Sequence, residues 1–224
     1  MKKTLTTAIF LIPVMAFAQA TFDWGAHYAS NGNARVEDAA IDSKGNVYTV
    51  GSHQDTLNTN CNNTNTSKTN TDNDWADYIQ QVKPDGTLGY IKGLGGTDYS
   101  FAKSVGVDKE DNVYMAGSFK GTHNPGVSIT SKGDIDIYVL KYSPTGVLLW
   151  AKSFGSTGED RIGDMEGDQD GNIYIGAAFK GDVNFDPNNG THIIKNLGFH
   201  IGIVLKLDKD GNFKWVRQTY KSNN

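Results

Sequence analysis

A chain of 224 residues with 38% hydrophobic residues, 26 glycines and five prolines carries enough apolar mass for one substantial core and too much for a disordered tail. Its formal net charge of −4, with no basic run beyond Lys2-Lys3, argues against a nucleic-acid partner, because phosphate binding needs clustered cations. One cysteine, Cys61, excludes an intramolecular disulfide.

Residues 1–20 read as a secretory signal peptide. Lys2 and Lys3 form its positive end, Ala8 to Phe17 its short apolar centre, and Ala16-Phe17-Ala18 or Ala18-Gln19-Ala20 a small-x-small cleavage site. The apolar run is too short to cross a bilayer, and no cysteine follows either cleavage site, so neither a retained anchor nor a lipoprotein is expected. The mature chain is expected to be exported, whether secreted, surface-bound or periplasmic, with no transmembrane segment.

Residues 21–224 repeat themselves. Asp42-Ser43-Lys44-Gly45-Asn46-Val47-Tyr48, Asp108-Lys109-Glu110-Asp111-Asn112-Val113-Tyr114 and Asp168-Gln169-Asp170-Gly171-Asn172-Ile173-Tyr174 share one pattern, 66 and then 60 residues apart. A unit of that length made of short strands and turns cannot bury its own apolar face, which predicts an all-β, propeller-like array. Aromatics head a short strand at Trp24, Tyr90, Trp150 and Trp215. Taking each as the start of a unit gives blades at about 24–89, 90–149 and 150–214, with an extra strand at 215–220.

Within a unit, a small-residue strand such as Asp38 to Ile41 or Lys103 to Val107 suits a crowded inner position near a propeller axis. The Asp-x-x-Gly-Asn turn comes next, where Gly takes positive φ cheaply and Asp111 of the second unit can also reach it. The strand after it runs into Gly51 and Gly117, whereas the third unit has Ala177 there and Gly176 one residue earlier. A variable hairpin follows, at residues 58–74, 119–133 and 179–198. The last strand, Asp136 to Lys141 or Ile203 to Lys206, is a continuous apolar run, as expected when neighbouring sheets cover both faces. Cys61 lies in the polar 58–74 tract and reads as an incidental exposed thiol. The Asn-x-Ser/Thr matches at Asn62, Asn65 and Asn189 follow from composition.

These elements resemble the bacterial β-propeller repeat family known as SBBP repeats. The resemblance rests on Asn112-Val113-Tyr114-Met115-Ala116-Gly117-Ser118-Phe119, on Asp136-Ile137-Tyr138-Val139-Leu140-Lys141 and on Val183-Asn184-Phe185-Asp186-Pro187. It covers about residues 22–220, with departures at Tyr90 for Trp, Ala177 for Gly and Ile201 for Asp. It implies a propeller fold in exported or surface proteins and no particular activity.

Candidate chemistry is sparse. Asp182, Asn184, Asp186 and Asn188 have the alternate-residue oxygen spacing of a Ca²⁺ loop, but Pro187 stands where that loop needs Gly and Ile193 where it needs Glu. A solvated hairpin tip accounts for them more simply, and no cofactor is expected. Asp168, Asp170, Asp208 and Asp210 precede Gly-Asn turns and read as turn chemistry. His27, His53, His123, His192 and His200 share no ligand spacing. Glu159, Asp160, Asp164 and Glu166 could serve glycoside hydrolysis, yet solvation or pairing with amides is the plainer reading. Trp24, Trp150 and Trp215 recur once per unit, which favours packing over a sugar platform.

Single-chain ring closure is doubtful on this count of strands. The chain is expected either to be part of a longer propeller or to associate, two copies making six blades or an open stack. The functional expectation is a non-catalytic binding or scaffold module for a protein or glycan, acting through the loops that vary. Its rival is an exported carbohydrate- or ester-acting enzyme, which requires convergent groups at equivalent inner positions. Ala40, Gly106 and Glu166 at those positions do not converge.

Overall fold

The computed structural model describes residues 26–30, 32–61, 64–69, 75–186, 190–195 and 199–219, so the signal segment, Trp24 and Asn188 lie outside the described residues. After β1 (Ala26–Ser30), β2 (Ala34–Ile41) and β3 (Val47–His53) form a hairpin, and β4 (Thr56–Cys61) and β5 (Thr64–Thr69) form a second. β6 (Ala76–Val82) and β7 (Leu88–Gly93) complete the antiparallel order β2-β3-β6-β7. β8 (Ser100–Val107), β9 (Val113–His123), β10 (Ile129–Tyr142) and β11 (Leu148–Phe154) make a second four-stranded meander. In the third, β12 (Arg161–Gly167) and β13 (Ile173–Phe179) are followed by a small excursion, β14 (Val183–Asn184) with β15 (Ile193–Ile194). β16 (Ile201–Leu207) and β17 (Phe213–Gln218) then complete the sheet. No helix occurs among the described residues. The three sheets are propeller-like blades, with the first strands β2, β8 and β12 packed side by side.

The sheets divide the chain one strand later than the aromatic positions predict. Gln81 faces Tyr90, Lys141 faces Trp150 and Lys206 faces Trp215, so each aromatic strand is the fourth of the sheet before it. The blades therefore run 34–93, 100–154 and 161–218 rather than 24–89, 90–149 and 150–214. The physical reason is the turn: tight hairpins such as Ser143 to Val147 keep the aromatic strand beside its predecessor. The segment 215–220 is accordingly not surplus. The additional strand is β1, which pairs with β4 in a separate sheet ordered β1-β4-β5.

Turn chemistry repeats as read. Gly45, Asp111 and Gly171 hold equivalent places at φ of 80°, 62° and 77°. Gly51 and Gly117 are held to glycine first by close backbone approach: a Cβ would lie 1.9 Å from the Arg35 carbonyl oxygen and 2.1 Å from that of Phe101, and also 2.8 and 2.4 Å from the Tyr78 and Tyr138 hydroxyls that face them. The third unit has Ala177 at this place, facing Ile203, which has no hydroxyl.

The second sheet is covered on both sides. Val113, Met115, Tyr138 and Leu140 join Tyr48, Val50 and Ile79 in one core, while Tyr114, Ala116, Ile137 and Val139 join Ile173, Ile175 and Leu205 in another. This explains the unbroken apolar run of β10. β13 and β16 alternate instead between buried and half-buried residues, because only one face of the third sheet is covered among the described residues.

The β1-β4-β5 sheet lies on the outer face of the first sheet, where Leu57 packs on Tyr78 and Ile91. The expectation of an exposed Cys61 is thereby overturned. Its side chain is buried and accepts a 2.8 Å hydrogen bond from Gln80 Nε2 of β6. A polar tract can bury one thiol when its strand is pressed against a neighbouring sheet.

Candidate functional site

The most regular carboxylates are structural. Asp42 Oδ1 accepts the Lys44 and Asn46 amides at 2.9 and 2.8 Å, and its Oδ2 accepts the Tyr48 hydroxyl at 3.0 Å. Asp108 does the same with Glu110, Asn112 and Tyr114, and Asp168 with Asp170, Asn172 and Tyr174. Asp208 accepts the Asp210 and Asn212 amides, with Lys214 Nζ at 3.0 Å from its Oδ2. Asp42, Asp108 and Asp168 converge around a depression of about 300 Å³ at the ends of the three inner strands. Sequence reasoning looked two residues earlier, at Ala40, Gly106 and Glu166, and so missed this convergence. Turn amides and a tyrosine already hold each carboxylate.

A larger cleft of about 460 Å³ opens at the opposite end of the inner strands. β-Bulges build it. Pairing shifts between Val36 and Asp38, between Ala102 and Ser104, and between Ile162 and Asp164, so Glu37, Lys103 and Gly163 are the extra residues of β2, β8 and β12. Glu37 and Lys103 line the cleft and approach each other at 3.4 Å. Arg161 and Glu159, paired by ion contact, line the third side.

The fourth side is aromatic. Trp75 and Phe101 lie with ring centroids 5.1 Å apart, and Tyr99 meets Phe101 edge-on at 5.6 Å. Arg35 covers the Trp75 ring at 4.8 Å. Burial, together with the carboxylates of Asp134, Glu159 and Asp98, pushes the Tyr99 phenol up to about 12, so it is protonated throughout the physiological range. The cleft thus offers an apolar aromatic floor under paired charges of both signs.

These positions are equivalent around the array: the bulge residue differs in every blade, and the residue two before it is Arg in the first and third blades and Phe in the second. Arg35, Phe101 and Arg161 stand two residues before the bulge residue, and Glu37, Lys103 and Gly163 stand at it. The fold itself demands no side chain there. Sequence reasoning placed recognition in the variable loops and overlooked Trp75, Tyr99 and Phe101. The available signal was that these aromatics have no counterpart in the other units.

Beneath this end lies a buried polar group. Asp77, fully buried, accepts Ser100 Oγ at 2.9 Å and the Tyr138 hydroxyl, and His123 Nε2 is 3.7 Å away. Burial raises the Asp77 carboxyl above its ordinary range, offset in part by His123. Its enclosure makes it a tie between the first two sheets.

The remaining sequence candidates separate. Asn184 Oδ1 accepts the Asp186 and His192 amides at 3.1 and 3.0 Å, and its amide donates to the Gly190 carbonyl, closing the β14–β15 excursion. Asp182 is exposed and Asn188 lies outside the described residues. Asp160, fully buried, accepts Ser156 Oγ and the Lys180 amide at 2.9 and 2.8 Å. Asp164 and Glu166 are exposed on β12. His53 and His123 are buried, whereas His192 and His200 are exposed. No group of three His, Cys, Asp or Glu placed to hold a metal occurs among the described residues.

No family model matches the chain. It is 24% identical over 127 residues to an uncharacterized WD repeat-containing protein of Acanthamoeba polyphaga mimivirus, a match covering 50% of this chain and 9% of that relative. The chain therefore spans a small part of the relative's length. Together with the three four-stranded sheets, this likeness describes a repeat protein of β-propeller type.

Proposed function

We propose that this chain is a non-catalytic binding or scaffold module whose axial cleft receives a polypeptide segment of a partner protein. The observation that carries the reading is the divergence of the bulge residues Glu37, Lys103 and Gly163, and of Phe101 from Arg35 and Arg161, beside one cleft that Glu37, Phe101, Lys103 and Arg161 line. Aromatic and arginine side chains with paired charges at the rim are the composition of a protein-recognition surface. A glycan is the weaker fit, because Arg35 already covers the Trp75 face on which a sugar would stack.

The module belongs, on this reading, to an exported protein of the SBBP-repeat kind. Lys2-Lys3 and the apolar run Ala8 to Phe17 support export, and the Asn112 to Phe119 and Asp136 to Lys141 segments support the repeat assignment. The likeness to a WD repeat-containing protein supports a repeat-based binding role, the coarser part of the proposal.

The test is capture from the native envelope and culture fluid by the chain and by its Phe101→Ala and Lys103→Glu variants, with a glycan array in parallel. The expected result is protein captured by the parent, and capture reduced at least tenfold by both variants at unchanged circular dichroism. Binding of a glycan with no such dependence would sink the reading.

A further inference from the structure

The contacts between successive blades follow one template. The second sheet offers the third a pocket made by Tyr114, Lys141 and Trp150. Lys141 Nζ and Trp150 Nε1 donate to the Lys209 carbonyl at 3.0 and 3.3 Å, and the Tyr114 hydroxyl lies 3.2 Å from the Gly171 carbonyl. Gly211, at φ 76°, sits so close to Trp150 that a Cβ would lie 3.3 Å from its ring. The first sheet receives the second in the same way. Gln81 Nε2 points to the Pro144 carbonyl at 3.3 Å, and Gly146, at φ 80°, packs on Tyr90. Each pocket accepts a turn with a carbonyl two residues before a left-handed glycine.

The third sheet carries the same pocket on the face that is left uncovered among the described residues. Tyr174 and Trp215 have ring centroids 6.1 Å apart at 60°, against 6.1 Å and 57° for Tyr114 and Trp150. Lys206 Nζ lies 4.8 Å from the Tyr174 ring, against 4.7 Å for Lys141 and Tyr114. Asp164 completes the match. In its counterpart Asp38, Oδ1 accepts the next amide and Oδ2 accepts Ser104 Oγ and Val105 N of the neighbouring blade, at 3.2 and 2.9 Å. Asp164 Oδ1 likewise accepts the Met165 amide, and among the described residues nothing donates to its Oδ2. No carbonyl reaches Trp215 Nε1 among the described residues either.

We propose that this face is a docking site for a further blade of the same repeat, which seats the turn between its third and fourth strands on Tyr174, Lys206 and Trp215 and donates an inner-strand amide to Asp164. The occupant is specified by the two occupied pockets. Both hold this turn, with this carbonyl-to-glycine spacing, from the blade that follows in sequence. A second copy of the chain is the poorer candidate, because its own first sheet is covered by β1-β4-β5. Tyr174, Lys206 and Trp215 are half-buried, so an arriving turn completes their burial.

The experiment appends a second copy of residues 155–219 in frame after Thr219 and compares the extended and unextended chains, each with and without Trp215→Ala. Lys206→Met is a second, milder variant. In the unextended chain Trp215→Ala is expected to shift Tm by less than about 2 °C, and in the extended chain by at least about 4 °C more. Hydrogen exchange at Ile173 to Gly176 is expected to slow at least tenfold on extension. Equal shifts in the two backgrounds, or an appended repeat that exchanges as unfolded chain, would overturn the proposal. So would a discrete dimer of the unextended chain that Trp215→Ala dissolves, which makes a second copy the occupant.

Discussion

The Tyr114 hydroxyl lies between two blades, 2.9 Å from Asp108 Oδ2 in its own turn and 3.2 Å from the Gly171 carbonyl in the next sheet. Tyr174 has the first of these contacts, at 3.2 Å to Asp168, and none of the second kind among the described residues. Replacing Tyr114 by Phe leaves buried Asp108 short of a donor and frees the interblade carbonyl. The expected cost is about 1–2 kcal/mol, against about 0.5 kcal/mol for Tyr174→Phe. Urea midpoints at constant m-value measure both.

The turn carboxylates set an acid limit. Burial would raise Asp208, but the Asn212 amide, Lys214 and the Asn212 side chain outweigh it and hold the carboxyl at about 2. Asp108 is likewise held below its ordinary value by Asn112, Tyr114 and Lys141, and Asp168 by Asn172. The unfolded chain takes up protons first, so the stability these groups contribute is present above about pH 4 and lost as pH falls toward 2. Asp108→Asn should flatten this slope in stability-versus-pH curves, and should also destabilise by about 2–4 kcal/mol because Lys141 Nζ, 3.2 Å away, becomes a buried unpaired charge.

Asp136 should slope the other way. It is fully buried, Lys132 N donates to Oδ2 at 3.1 Å, and Oδ1 has no hydrogen-bond partner. Burial, with Asp160 nearby, pushes its carboxyl up to about 6. The folded chain therefore holds a proton that the unfolded chain has released, and this group's contribution falls as pH rises from about 4 to 6. Asp136→Asn is expected to remove that fall and to stabilise the protein at pH 7 by roughly 1–3 kcal/mol. A Tm at pH 7 equal to or below the parent's would contradict it.

Cys61 should be silent in the native protein. Burial raises its thiol pKa, partly offset by Gln80, and no solvent reaches the sulfur. Ellman's reagent is expected to react at least a hundredfold more slowly with the native chain than in guanidinium. Rapid native labelling would show that the β4–β5 hairpin lifts from the first sheet.

The repeat itself was legible because its turns are written in residues with one physical use. Asp at the first place accepts amides, Gly or Asp111 supplies positive φ, and Tyr returns a hydroxyl to the carboxylate. Blade boundaries were not legible, since an aromatic strand flanked by turns on both sides does not declare which neighbour it pairs with. The burial of Cys61 escaped because it depends on where the β4–β5 hairpin lands, which local composition does not encode. The cleft escaped for a related reason. Its residues stand out only once the bulges align Arg35 with Phe101 and Arg161, and that register exists in space before it can be seen in sequence.

The sheet laid over the first blade gives the array a direction. A duplicated segment placed ahead of β2 would have to displace Leu57 from Tyr78 and Ile91 before it could stack, whereas one placed after β17 meets a surface already shaped like its neighbours. A duplicated unit is therefore expected to be accommodated more readily after β17 than ahead of β2. Relatives should differ in how many units follow the third blade far more than in what precedes the first.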